Sequence, residues 1–69
     1  MDLRDRRNRR MMIIECKKAG SKDRMEACCN EAIKQIAEKE YARKTDGFNT
    51  VLCYGISFFE KTAMVKRMQ

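Results

Sequence analysis

The stretch MMIIECKK, residues 11–18, is apolar on both faces of an extended chain and then turns abruptly charged. Side chains alternate along a strand, so Met11, Ile13, Glu15 and Lys17 share one face, and Met12, Ile14, Cys16 and Lys18 share the other. A strand of this kind belongs inside a sheet covered on both sides, not at an edge open to water. For a chain of 69 residues that is a severe demand, because a domain of this size buries only about 60% of the surface it exposes when unfolded. Such chains usually need a disulfide, a metal or a second copy of themselves.

The segments around this strand supply the rest of a small fold. RDRRNRR, residues 4–10, has no apolar residue and carries Asp and Asn, which suits a turn between a first strand and a second at 9–16. Gly20 breaks the second strand, and Ser21 or Asp23 stands where a helix cap is wanted. From 22 to 44 the apolar residues Met25, Cys28, Cys29, Ala32, Ile33, Ile36, Ala37 and Tyr41 recur at three and four, which predicts one amphipathic helix of about six turns. Gly47 can end it in the left-handed conformation. Residues 49–59 are rich in β-formers, and EK leads through a tight turn into a last strand. The expected fold is therefore α/β (α+β): a β-hairpin, one long helix, then a β-hairpin.

One helix covers one face of such a sheet, and nothing else in the sequence covers the other. The chain is expected to associate with itself, as a homodimer or higher homo-oligomer, or with a missing domain. Four cysteines form no C-x-x-C pair, and no histidine is present, which argues against a structural zinc. They read as small apolar core residues. With no secretory signal and no run near the roughly 20 apolar residues of a membrane span, the expected compartment is the reducing cytoplasm. The formal net charge is +6, and Arg4, Arg6, Arg7, Arg9 and Arg10 crowd into the first ten residues. That cluster suits a nucleic-acid backbone, DNA or RNA, and equally a solvated basic turn.

Glu15 and Lys17 stand about 7 Å apart on one face of the strand, and Asp2 lies thirteen residues before Glu15. If the first two strands form a hairpin, Asp2 and Glu15 converge on one end of the sheet. Two carboxylates there can hold a hard divalent cation such as Mg²⁺, and a neighbouring lysine can orient an attacking water. The plain alternative is a salt bridge at a strand end.

The spacing D-x12-E-x-K across a hairpin, the apolar strand leading into it, the helix EAIKQIAEKEYA with Gln35 and Tyr41, and the closing VLCYGISFFEKTAMVK together resemble the PD-(D/E)XK nuclease superfamily. In particular they resemble the C-terminal nuclease-like domain of bacterial proteins with a AAA-ATPase-like region upstream. The resemblance runs from Asp2 to about Lys66. It implies a minimal restriction-endonuclease-like core, with Asp2 and Glu15 as ligands of Mg²⁺ or Mn²⁺, Lys17 as the catalytic lysine, and Gln35 and Tyr41 facing the active site or the nucleic acid. The residues alone leave Gln35 as a solvated helix residue and Tyr41 as a core aromatic closing the apolar stripe. The family core normally has a helix before its first strand, so residues 1–69 are expected to be one nuclease-like domain truncated at its N-terminus. Two functions stay open at this point: a metal-dependent nuclease, or a nuclease-like fold without catalysis that serves self-association or nucleic-acid binding. A purely structural fragment would be indifferent to Glu15 and Lys17.

Overall fold

A computed structural model describes residues 1–68. Four strands, β1 (Asp2–Asp5), β2 (Arg10–Lys18), β3 (Thr50–Phe59) and β4 (Thr62–Arg67), form one sheet in the order β1-β2-β3-β4. The outer pairs are antiparallel hairpins and the central pair, β2 with β3, is parallel. A parallel pair needs a crossover of a dozen or more residues, and the helical segment between β2 and β3 provides it. This is the α+β arrangement expected from the sequence, with a mixed sheet.

The helical segment differs from the single α-helix expected over 22–44. A 3-10 turn (Lys22–Arg24) leads into α1 (Met25–Gln35), a five-residue π-helical turn (Ile36–Glu40) follows, and α2 (Tyr41–Lys44) closes the run. Ser21 occupies the cap position of the first turn without a side-chain hydrogen bond. Met25, Cys28, Cys29, Ala32 and Ile36 are buried as the three-and-four spacing predicts, but Ala37 is exposed and Tyr41 is 37% exposed. The π turn spends one more residue than an α turn, so the stripe slips out of phase after Ile36. Tyr41 is therefore not a core aromatic. Beyond Lys44, the Thr45 hydroxyl and amide both donate to the Tyr41 carbonyl, at 2.8 and 3.2 Å, and Gly47 follows at φ +89°.

The core lies between the helix and one face of the sheet. Met11, Ile13, Ile36 and Cys53 form one buried cluster, and Ala19, Met25 and Cys28 a second. Each large apolar side chain buried there contributes about 1.5–3 kcal/mol. Between the clusters the helix nearly touches β3. A Cβ on Gly55 would stand 2.5 Å from the Cys29 carbonyl oxygen and 2.9 Å from Cγ1 of Ile33, so only glycine fits. Next to it Ser57, fully buried, donates to the Met25 carbonyl at 2.8 Å, which satisfies the one polar side chain in the buried core among the described residues.

The opposite face of the sheet carries no helix. There Leu3 lies across from Met12, Ile14 beside Tyr54, Val65 across from Ile56, and Ala63 across from Phe58. Leu3, Phe58 and Val65 are 52%, 43% and 58% exposed. Cys16 is on this face and exposed, which corrects its reading as a core residue; the other three cysteines are buried. No helix among the described residues is long and apolar enough to cross a membrane.

The contact at Gly55 yields a direct prediction. Gly55→Ala places a methyl group against backbone and will destabilise the fold by about 1–3 kcal/mol, seen in thermal unfolding as a fall of roughly 4–8 °C per kcal/mol for a domain this small.

Candidate functional site

Pairing register decides which of the candidate residues meet. Asp2 sits opposite Ile13, and Met1 continues the ladder by exchanging hydrogen bonds of 2.8 and 2.7 Å with the backbone of Ile14. Paired residues point to the same face, so Asp2 shares the helix-covered face with Ile13 and with Glu15 two residues on. The two carboxylates are diagonal neighbours, with Cα atoms about 7–8 Å apart by antiparallel geometry. Lys17 follows on the same face about 7 Å further along. Beside Glu15 in β3 lies Gly55, with no side chain, and beside Lys17 lies Ser57. Both Glu15 and Lys17 are half-buried.

Asp2 is the most constrained of the three. Its Oδ2 receives the ammonium of Lys44 at 2.9 Å and lies 3.7 Å from the guanidinium of Arg4. The hydrogen bond from Lys44 holds the Asp2 carboxyl below the usual carboxylate range, with partial burial opposing it and the positive charges of Lys44, the N-terminus and Arg4 reinforcing it. Its Oδ1 is buried and has no hydrogen-bond partner. A buried acceptor left unpaired costs about 1–3 kcal/mol, and such an atom in a native fold calls for a ligand or a water.

These donors fit a hard divalent cation in kind: two carboxylates on one face, one of them with a lone oxygen. Among the described residues no group of three or more His, Cys, Asp or Glu side chains could hold a metal. Mg²⁺ commonly binds through one or two carboxylates and keeps several waters, so a pair such as Asp2 and Glu15 is of the kind that could hold one.

Gln35 and Tyr41 are not brought together. Six residues turn an α-helix through about 600°, and the π turn shortens this by about one residue's rotation, so either way the two side chains leave the helix more than about 100° apart. On α1, Lys66 of β4 lies 3.7 Å from Glu26 and donates to Asn30 at 3.3 Å. That contact sets one flank of the helix toward β4. Gln35, half-buried, falls on the opposite flank, toward β1. Tyr41 presents an exposed ring beyond the π turn.

The arginine turn is built by an acid. Asp5 accepts from the Asn8 amide at 3.2 Å, the Asn8 side chain at 2.9 Å and the Arg10 guanidinium at 2.9 Å. Those hydrogen bonds, the Asn8 side chain first and Arg10 second, hold its carboxyl down to about 2. Arg9, at φ +54°, donates to the Gly47 carbonyl, and its own carbonyl accepts the amides of Asn49 and Thr50. Of the five arginines, Arg4, Arg9 and Arg10 thus serve the fold, whereas Arg6 and Arg7 are exposed and make no ion pair among the described residues. The turn also sits at the far end of β2 from Lys17, about 23 Å away for seven residues of strand. Sequence reasoning missed Lys44, Gly55 and the partners of Asp5, which it read only as part of a turn. The D-x-x-N spacing of Asp5 and Asn8 and a glycine within a strand pattern were readable signals for two of them; the Lys44 contact had none.

Set against known proteins, the chain matches over residues 1–68 the family model described as the PD-(D/E)XK nuclease superfamily. No curated protein and no solved structure matches it.

Asp5 gives a pH-dependent prediction. A carboxyl whose folded pKa is depressed contributes stability that is present above its unfolded value and is lost as pH falls through its folded one. Asp5→Asn will therefore be less stable than the wild type at neutral pH, and the difference will close between about pH 4 and pH 2, measured by urea unfolding across that range.

Proposed function

The chain belongs to the PD-(D/E)XK nuclease superfamily, and on that premise we propose that it is a metal-dependent nuclease domain hydrolysing phosphodiester bonds of DNA or RNA. The observation that carries this reading is the diagonal placement of Asp2 and Glu15 on the face that also bears Lys17. Asp2 and Glu15 would hold Mg²⁺ or Mn²⁺. When bound, such a cation lowers the pKa of a water and neutralises charge building on the phosphate. Lys17 holds and orients the attacking water from the next position along β2. Gln35, on the helix flank toward β1, contacts the substrate. Arg6 and Arg7 meet the backbone by charge, and the exposed ring of Tyr41 offers a base a stacking surface. Arg9 and Arg10 act by fixing the turn, and Arg4 lies beside Asp2. The four cysteines are thiols, the state a reducing compartment maintains, so a cytoplasmic location belongs to the proposal. So does correspondence to the nuclease-like domain of bacterial proteins with AAA-ATPase-like regions.

A second reading is favoured by the bare sheet face: a nuclease-like fold whose working role is self-association or nucleic-acid binding. The two longest dimensions, 39 and 22 Å, enclose roughly 850 Å², the same order as the about 800 Å² that each partner gives to a standard interface. The occupant we propose is a second copy packed face to face, about 10 Å between sheets.

Two measurements test these readings. With Mg²⁺ or Mn²⁺, cleavage of plasmid or single-stranded nucleic acid is expected to fall about 100-fold or more in Glu15→Ala and Lys17→Ala; equal rates in the variants would sink the nuclease reading. By sedimentation the wild type is expected at the mass of two or more chains, and Val65→Lys, a change at an exposed position, at the mass of one. A monomeric wild type removes the self-association reading.

A further inference from the structure

The cation nearest the candidate metal ligand is one the protein itself supplies. Lys44 places its Nζ 2.9 Å from Asp2 Oδ2, with the aspartate side chain 18% and the lysine side chain 35% exposed. We propose that Lys44 is a built-in occupant of the cation position at Asp2, and that a divalent ion binds there only by displacing it. This rests on the metal-binding reading of Asp2 and Glu15.

Charge is the first argument. Oδ2 of Asp2 faces two cations, Lys44 and Arg4, while Oδ1 is buried without a hydrogen-bond partner. Three positive groups, Lys44, the N-terminus and Arg4, act on the Asp2 carboxylate, and Lys17 lies on the face that carries Asp2 and Glu15. A divalent ion brought to the site as it stands meets like charge at short range. Moving the Lys44 ammonium aside removes the nearest of those charges and frees the oxygen that it holds.

Placement is the second argument. Lys44 lies eight residues after Ile36, which faces the sheet. In an unbroken α-helix a residue eight on is turned about 80° away, whereas one seven on returns to within about 20°. The π turn absorbs one residue, so Lys44 takes the direction of an i+7 neighbour and points back over β1. Its backbone is held on the C-terminal side. Thr45 closes the helix on the Tyr41 carbonyl, and Phe48 packs on the cluster of Met11, Ile13, Ile36 and Cys53. The stem of a lysine has four rotatable carbons and its ammonium no fixed fork, so the head can swing clear while the backbone stays put.

Calorimetric titration of Mn²⁺ and Mg²⁺ into the full chain tests this, comparing wild type with Lys44→Gln, Lys44→Arg and Glu15→Ala, each checked for folding by circular dichroism. Lys44→Gln is expected to tighten Mn²⁺ roughly fivefold, the worth of one partly exposed ion pair, and Lys44→Arg to stay as weak as the wild type. Without metal, Lys44→Gln is also expected to melt a few degrees lower, about what a lost ion pair implies for so small a domain, and to recover with Mn²⁺. Binding that is unchanged or weaker in Lys44→Gln but abolished in Glu15→Ala would overturn the role of Lys44 and leave the metal site standing. Absence of binding heat in all four proteins would overturn both.

Discussion

The contact between α1 and β3 at Gly55 is what the remaining architecture hangs on. A parallel β2–β3 pair exists only if the intervening chain crosses back over the sheet, and here the crossing helix lies so close to β3 that no side chain fits at position 55. That closeness sets the helix axis over β2 and β3. The position beside Glu15 in the sheet is thereby filled by the helix itself, since Cys29, Ala32 and Ile33 occupy the space a side chain at Gly55 would take. Ser57, one step further on that face, ties the start of the helix to β3 through the Met25 carbonyl. The same few residues hold the helix against the strand that neighbours Glu15 and Lys17.

Much of this was legible in the sequence because it rests on local rules. Alternation of apolar residues located β2 and its two faces, the glycine after Lys44 marked the end of the helix, and the D-x12-E spacing put Asp2 and Glu15 at one end of the sheet provided that the first two strands pair. The uncovered sheet face followed from counting one helix against two faces. What was not legible depends on one turn of helix and on tertiary pairing. Nothing in the periodicity of residues 36–40 distinguishes a π turn from an α turn, so the apolar stripe reads on through Ala37 and Tyr41, which are exposed. The partner of Asp2 was hidden for the same reason, since the direction of Lys44 is set by that turn.

The basic N-terminal segment shows how composition can mislead about roles. Five arginines in a row of ten residues suggest one electrostatic surface. In the fold they divide, because Asp5 and the carbonyl of Gly47 each take one and Asp2 takes another. Charge that is spent on shaping a turn still contributes to the long-range field, but it is not available to grip a ligand. The two arginines left over lie at the opposite end of β2 from Lys17, so any nucleic acid that touched both would have to run along the strand.

The parallel central pair has a kinetic side. Each hairpin, β1–β2 and β3–β4, closes from neighbouring residues and can form early, but a lone two-stranded hairpin in water is marginal at best. The pairing that joins them spans residues 19–49, and loop closure over that distance must be met before the contacts reward it. The helix has its apolar stripe only half matched by either hairpin alone, with Ile36 resting on residues of both β2 and β3. Folding of this chain is thus expected to be all-or-none and slower than its length suggests, with neither half a stable intermediate.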